Sequence, residues 1–265
     1  MKLKDINFGI IQGRLTKSKA IQKFPKNPFK EFITAKKIGY DFIELIAERR
    51  INKDNPIWSE KLNLYKKYTS DNNLLIFSAC DDFVISNGFN RHYLKYIDRL
   101  FDRLSKIKIN RVIIPLENKS EVTKKNLSTI IIYLKKITQI CYKKKIPYLL
   151  IESNCEFSVF KKIKKGVNSK NLFFLYDTGN RAKYFPDVYT DIIKFGHNIK
   201  QIHIKDKNDK GSNVILRKGN VDFPGVIKAT KKIKSKDFAI VFENNKGSNP
   251  EKNAKKNLKF IKNLF

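Results

Sequence analysis

The 265-residue sequence predicts a (β/α)8 barrel that takes up residues 1–265 as one domain. Three observations predict it. Eight short apolar runs recur at intervals of about 33 residues, close to the repeat of a barrel of about 250 residues. Each run is followed by a longer stretch whose apolar residues keep helical spacing. No linker, low-complexity tract or composition shift divides the chain. Repeated strand–helix units imply parallel pairing, because each crossover returns the chain to the same end of the sheet. Eight units favour closure over the alternative, an open doubly wound sheet.

The strand-like runs lie at 6–11, 41–46, 74–79, 111–115, 147–152, 172–177, 199–204 and 238–243. Between them the helical signal is clearest over 91–107, where Leu94, Ile97, Leu100, Phe101, Leu104 and Ile107 fall on one face. Asn27-Pro28 and Asn249-Pro250 read as starts of the first and last barrel helices, with proline in the first turn. Gly39 and Gly166 read as stops of the first and fifth. The most apolar stretch, 127–142, is interrupted by Lys135 and Lys136 and reads as an amphipathic helix, so no membrane span is expected.

The charge is lopsided, with 56 Lys+Arg against 25 Asp+Glu and a formal net of +31. Such a balance is often the footprint of nucleic-acid binding. Only nine of the cations are arginine, however, and the lysines spread over nearly every expected helix. A solvated lysine-rich surface without a dedicated nucleic-acid partner accounts for that spread. The same field would favour the approach of anionic small molecules. Cys80, Cys141 and Cys155 are odd in number and lack paired spacing, and residues 1–5 lack a secretory apolar segment; both fit a reducing cytoplasmic setting.

The informative residues end the last four apolar runs: Tyr148-Leu-Leu-Ile-Glu152, Phe173-Phe-Leu-Tyr-Asp177, Gln201-Ile-His203 and Ala239-Ile-Val-Phe-Glu243. Taken singly, each acid could cap the following helix, Asp177 could serve a turn, and His203 could be a hydrogen-bonded core residue. Taken together, four potential ligands reach the barrel end where active sites are assembled. Three carboxylates and one imidazole carry a charge of about −3 and suit Mn²⁺, Mg²⁺ or Co²⁺ better than a thiolate site would. A divalent ion there would act as a Lewis acid, polarising a carbonyl and stabilising an enediolate. Carboxylates on the fifth and eighth strands could remove a proton α to that carbonyl and return it on the other face.

These residues sit in a wider set of motifs: Gly9-Ile-Ile-Gln-Gly-Arg-Leu15, Ile21-Gln-Lys-Phe-Pro25, Tyr40-Asp-Phe-Ile-Glu44, Ile151-Glu-Ser153, Tyr176-Asp-Thr-Gly-Asn180, Ile202-His-Ile-Lys-Asp206, Gly219-Asn-Val-Asp-Phe223 and Phe242-Glu-Asn244. Over nearly its full length the chain resembles the sugar phosphate isomerase/epimerase group of xylose-isomerase-like TIM barrels, which includes ketose 3-epimerases and L-xylulose-5-phosphate 3-epimerases. The resemblance implies one divalent metal ion, Mn²⁺ favoured over Mg²⁺, Co²⁺ or Zn²⁺, held by Glu152, Asp177, His203 and Glu243. It implies that Glu152 and Glu243 are also the acid/base pair of a sugar or sugar-phosphate isomerase or epimerase. Substrate contacts would fall to Asn180, Lys205 and Arg217, with Gln12, Arg14 and Glu44 lining the same mouth. A homo-oligomer is among the assemblies it allows.

Two departures stand out. Many members carry Leu-Gly-x-Gly where this chain has Leu216-Arg-Lys-Gly219, so Arg217 either adds a phosphate contact or puts a cation on a loop. Ketohexose epimerases often have a histidine near Asn180, which argues against free-sugar epimerisation of that sort. A lyase similar to the inosose dehydratases, using the same ion, and a non-catalytic sugar-binding barrel are the alternatives. A nuclease of the endonuclease IV kind needs a histidine-rich zinc cluster, and the chain has three histidines. Of these, His92 reads as a surface or capping residue, and His197 precedes the seventh strand at the end of the barrel away from the chemistry. Asp222 reads as a helix cap, Asp206 as a cap or a support for the site, and Asp81-Asp82 as acids that could face the mouth.

Overall fold

The computed structural model describes residues 1–18 and 24–265; the Ile21-Gln-Lys portion of one motif lies outside the described residues. Eight parallel strands close into a barrel: β1 (Ile6–Ile11), β2 (Phe42–Ala47), β3 (Ser78–Asp81), β4 (Arg111–Leu116), β5 (Tyr148–Ser153), β6 (Leu172–Asp177), β7 (Ile199–Ile204) and β8 (Phe238–Phe242). Closure is made by β8 against β1, with Ile6 opposite Phe238 and Ile10 opposite Phe242. The helices are α1 (Lys30–Ile38), α2 (Leu62–Asp71), α3 (Phe83–Asn87), α4 (Arg91–Lys106), α5 (Leu127–Lys143), α6 (Phe157–Val167), α7 (Thr178–Ala182), α8 (Val188–Phe195), α9 (Phe223–Lys232) and α10 (Pro250–Asn263). Among the described residues, no helix is long and apolar enough to cross a membrane.

Strands β4, β7 and β8 are buried at every position, as expected of parallel strands covered on both faces. Gly9 in β1 has a packing reason: a Cβ there would collide with the Phe42 ring. Three local expectations need correction. The third strand forms at Ser78–Asp81 rather than 74–79, because its ladder to β4 starts only at Ser78 opposite Arg111; Leu75 makes one isolated bridge to Phe42. The first helix starts at Lys30, although the Asn27 side chain still accepts from the Lys30 N–H at 3.3 Å. Gly166 lies inside α6, which Asn168 terminates at φ 52°. The glycine serves packing there, since a Cβ would come within 2.7 Å of Ile131 on α5. Gly39 does close α1, at φ 100°, and Asn249 does cap α10 through the Lys252 N–H at 3.1 Å.

Backbone contacts concentrate in two portions of the chain, 45–67 with 76–173, and 1–44 with 68–75 and 174–265. In the former, α4 buries Ile97, Leu100, Phe101 and Leu104 as its spacing predicts, with Ile107 just beyond it; Leu94 is only half-buried, and Tyr93 and Tyr96 take the remaining buried positions. Asp81 does not lie open: its carboxylate accepts the phenol hydrogens of Tyr93 and Tyr96 at 2.6 and 2.9 Å. In the latter portion, Arg181 after β6 is buried against Asp191 of α8 at 2.8 Å. Its guanidinium lies 4.4 to 5.4 Å from the ring centres of Phe174, Tyr176, Phe185 and Phe195. That buried pair ties the segment following Asp177 to α8.

Candidate metal and active site

Side chains alternate along a strand, so Gln201, His203 and Lys205 project to one side of β7 while Ile202 and Ile204 pack on the other. Asp177 is the last residue of β6 and stands opposite His203 in register. One carboxylate oxygen of Asp177 caps α7, accepting from the Asn180 N–H at 2.6 Å. The other faces the Lys205 ammonium at 2.9 Å. Asp177 therefore does the capping that its sequence context suggested and still turns an oxygen to its neighbours. The Asp-Thr-Gly motif continues the same work. Thr178 Oγ1 donates to the Lys205 carbonyl at 2.7 Å and accepts from the Lys205 N–H at 2.9 Å. A Cβ on Gly179 would stand 3.0 Å from the Lys205 side chain, so glycine leaves room for that lysine.

His203 is clasped from both sides. Its Nδ1 lies 2.9 Å from Glu243 Oε2, and its Nε2 lies 2.9 Å from Glu44 Oε1. Burial alone would depress the imidazole's pKa, but the charges and hydrogen bonds of Glu44 and Glu243 outweigh it and push the pKa well above the ordinary value. Glu243 follows the last residue of β8 and also meets Lys205 Nζ at 2.9 Å and an Arg14 guanidinium nitrogen at 3.6 Å. Burial would raise its pKa. Lys205, His203 and Arg14 prevail and hold the carboxyl well below the usual range.

Glu152, near the end of β5, belongs with Asp177 and His203. Each of the three buried residues offers one ligand atom, and those atoms lie within 4.8 Å of one another. Ligands ~2.1 Å from a shared ion stand up to ~4.2 Å apart, so a small side-chain adjustment would let this trio hold one. Two carboxylates and an imidazole fit a divalent cation of intermediate hardness. Glu243, expected as a fourth ligand, is not one of that trio here; its oxygens are taken up with His203, Lys205 and Arg14.

The remaining expected site residues divide. Lys205 and Arg14 join the network through Asp177 and Glu243. Asn180 and Gln12 are buried and meet it through their backbone N–H groups, Asn180 to the Asp177 carboxylate and Gln12 to the Glu44 carbonyl. Glu44 is buried too, but its carboxylate is committed to His203 and to Gln201, which donates from Nε2 at 2.5 Å. Arg217 is placed otherwise: its guanidinium stacks over Phe260 at 5.1 Å. Its backbone sits at φ 73°, the left-handed region that favours glycine, the residue that the resemblance led one to expect here. His92 and His197 are exposed.

The paired motifs 202–206 and 219–223 also find their reason. Asp206 accepts from the N–H groups of Arg217 and Gly219 at 2.9 Å and of Val221 at 3.3 Å, so it organises a loop rather than capping a helix. Gly219 is required because a Cβ would collide with the Asp206 carboxylate and the Lys207 carbonyl. Asp222 caps α9 through the Gly225 N–H at 3.0 Å. Sequence reasoning missed Gln201, although its place two residues before His203 on one strand was the signal. It also missed Glu31 and Lys246. Glu31 accepts from the N–H groups of Gly13 and Leu15 at 2.7 and 3.1 Å and from Thr16 Oγ1 at 2.8 Å. Lys246 donates to the Gly13 carbonyl at 3.0 Å, so the turn carrying Arg14 is held through both the N–H and the carbonyl of Gly13.

The family model described as xylose isomerase-like TIM barrel matches residues 32–264. The chain belongs to that family. No curated protein matches it. Among solved structures, D-allulose 3-epimerase from Methylomonas sp. superposes with a TM-score of 0.76 at 16% identity, covering 98% of each chain. D-Psicose 3-epimerase from Clostridium cellulolyticum H10, solved with D-tagatose, reaches 0.77 at 13% identity, covering 98% of this chain and 99% of its own. The IOLI protein, solved with a zinc atom, gives 0.72 at 15% identity, with the same coverage. At such identities the likeness establishes the fold. The family's shared barrel and the Glu152–Asp177–His203 trio are the two facts from which a function can be argued.

Proposed function

We propose that this barrel, spanning the whole chain, is a divalent-cation-dependent isomerase or epimerase of a sugar or sugar phosphate. The observation that carries the reading is the trio of buried ligand atoms on Glu152, Asp177 and His203 within 4.8 Å of one another. Structural neighbours that are sugar epimerases, one of them solved with D-allulose, support it. Glu152, Asp177 and His203 would hold the ion, with Glu243 as fourth ligand once its oxygens turn from Lys205 and Arg14. When bound, such an ion supplies Lewis acidity that polarises a substrate carbonyl; Mn²⁺ suits the donor set best, and Mg²⁺, Co²⁺ and Zn²⁺ are its competitors.

Glu152 and Glu243 divide the proton work. One removes the proton α to the carbonyl, leaving an enediolate, and the other returns a proton to the opposite face. Before an ion is bound, Lys205 and Arg14 hold Glu243 as a carboxylate, the form that could ligate the ion and accept a proton. The same two cations, with Asn180 and Gln12, would bind substrate oxygens. Their burial excludes water that would otherwise compete for the proton.

Solvent-deuterium incorporation into a panel of ketoses and ketose phosphates tests the proposal on Mn²⁺-loaded protein. Wild type should exchange one carbon-bound hydrogen, and Glu152→Gln and Glu243→Gln should each lose at least about 100-fold, the lower end of what general acid–base groups contribute. Loss of water from a substrate would move the reading to a lyase. Mn²⁺ binding without exchange on any substrate would leave a binding barrel instead.

A further inference from the structure

We infer that Glu44 is the positioning residue for His203, holding Nε2 so that Nδ1 is the ring nitrogen presented to a cation. The inference deepens the proposed function and rests on its metal reading. Glu44 ends the pairing of β2 with β1, opposite Ile11, and is fully buried. Both of its oxygens are engaged from β7, Oε1 by His203 Nε2 at 2.9 Å and Oε2 by Gln201 Nε2 at 2.5 Å.

The depth of these contacts orients the ring. Gln201 lies two residues, roughly 6.6 Å, before His203 along β7, and so farther from the carboxyl-terminal mouth of the barrel. A carboxylate shared by Gln201 and His203 therefore sits on the inner side of the imidazole. Nε2 points inward to Glu44, and Nδ1 points to Glu243, the acid that follows the end of β8. An imidazole binds an ion through one nitrogen only, and a carboxylate on its other N–H fixes the tautomer and strengthens the donor. Glu44 is the one of the two flanking carboxylates that lies deeper, and Gln201 in turn prevents it from rotating away. The substrate contact expected of Glu44 from sequence is replaced by this role behind the histidine.

Two measurements test it, neither relying on turnover. Titration of metal-free protein with Mn²⁺ alone should show about 10- to 100-fold weaker binding for Glu44→Ala, with a smaller loss for Glu44→Gln, which keeps a neutral acceptor. Nitrogen-15 spectra of histidine-labelled wild type loaded with Zn²⁺ should show His203 as the Nε2–H tautomer, a signal easily found among three histidines, two of them exposed. A merely structural Glu44 would leave tautomer and affinity untouched in the folded variants. An Nδ1–H tautomer in wild type, or equal Mn²⁺ affinity in wild type and in whichever Glu44 variant folds, would overturn the inference. Wild type that binds neither Mn²⁺ nor Zn²⁺ would instead sink the metal reading beneath it.

Discussion

Asp81→Asn isolates a buried carboxyl whose pH dependence can be worked out from its surroundings. Asp81 has no exposed surface, and burial raises its pKa from 3.8 to about 7 despite hydrogen bonds from Tyr93, Tyr96 and the Phe83 N–H. Because the folded-state pKa is the higher one, the folded protein holds a proton that the unfolded chain releases between pH 3.8 and about 7. The resulting stability is complete below pH 3.8, declines as pH rises, and is gone above about 7. At 1.36 kcal/mol per unit, the loss between pH 5 and pH 8 is about 2.5 kcal/mol. Asparagine keeps the size and one acceptor but has no proton to lose. The difference in unfolding free energy, variant minus wild type, should therefore grow by about 2.5 kcal/mol across that range. Urea unfolding at pH 5, 6, 7 and 8 measures it, and common contributions such as that of Glu31, whose pKa is also raised, cancel in the difference. Parallel pH curves for the two proteins would refute the reasoning and imply that the phenols, not burial, set the state of Asp81.

Two further outcomes are expected. Asp191→Asn leaves the Arg181 guanidinium buried without its charge partner and should cost about 3–5 kcal/mol in denaturant unfolding, whereas Arg181→Met with Asp191→Leu should recover much of that loss. Gly219→Ala forces a methyl group against the Asp206 carboxylate and should cost about 1–3 kcal/mol, while Arg217→Gly, at a left-handed backbone position, should be tolerated within about 1 kcal/mol.

Much of the fold was legible because a parallel barrel writes itself locally. Strands buried on both faces are short apolar runs, and β1, β6 and β7 form at the positions their runs predict. The third strand was misplaced for the same reason. Leu74-Leu-Ile-Phe77 is as apolar as a strand, but a continuous ladder begins only at Ser78, and pairing partners leave no mark in the run itself. At the site, the grouping of Glu152, Asp177 and His203 was legible because a polar residue closing an apolar strand is conspicuous. The partners of those residues were not. Glu44 and His203 are 159 positions apart, and Gly13 and Lys246 meet across 233. No spacing rule connects such positions, and only barrel closure brings them together.

The chain's net charge of +31 says little about the interior of the site, where the count of contacts is different. Four acids, Glu44, Glu152, Asp177 and Glu243, share the network with two permanent cations, Arg14 and Lys205. With His203 protonated, as its raised pKa favours, the sum is −4 + 3 = −1. A dication meeting His203 as a neutral ligand gives −4 + 2 + 2 = 0. A monovalent ion in its place would leave −1, and a trivalent one +1, each a net charge in a buried pocket that solvates charge poorly. Under the proposed metal reading, this formal charge count would favour the same valence as the donor atoms. Under that reading His203 would give up its proton to the incoming ion, and affinity for the ion is expected to rise with pH.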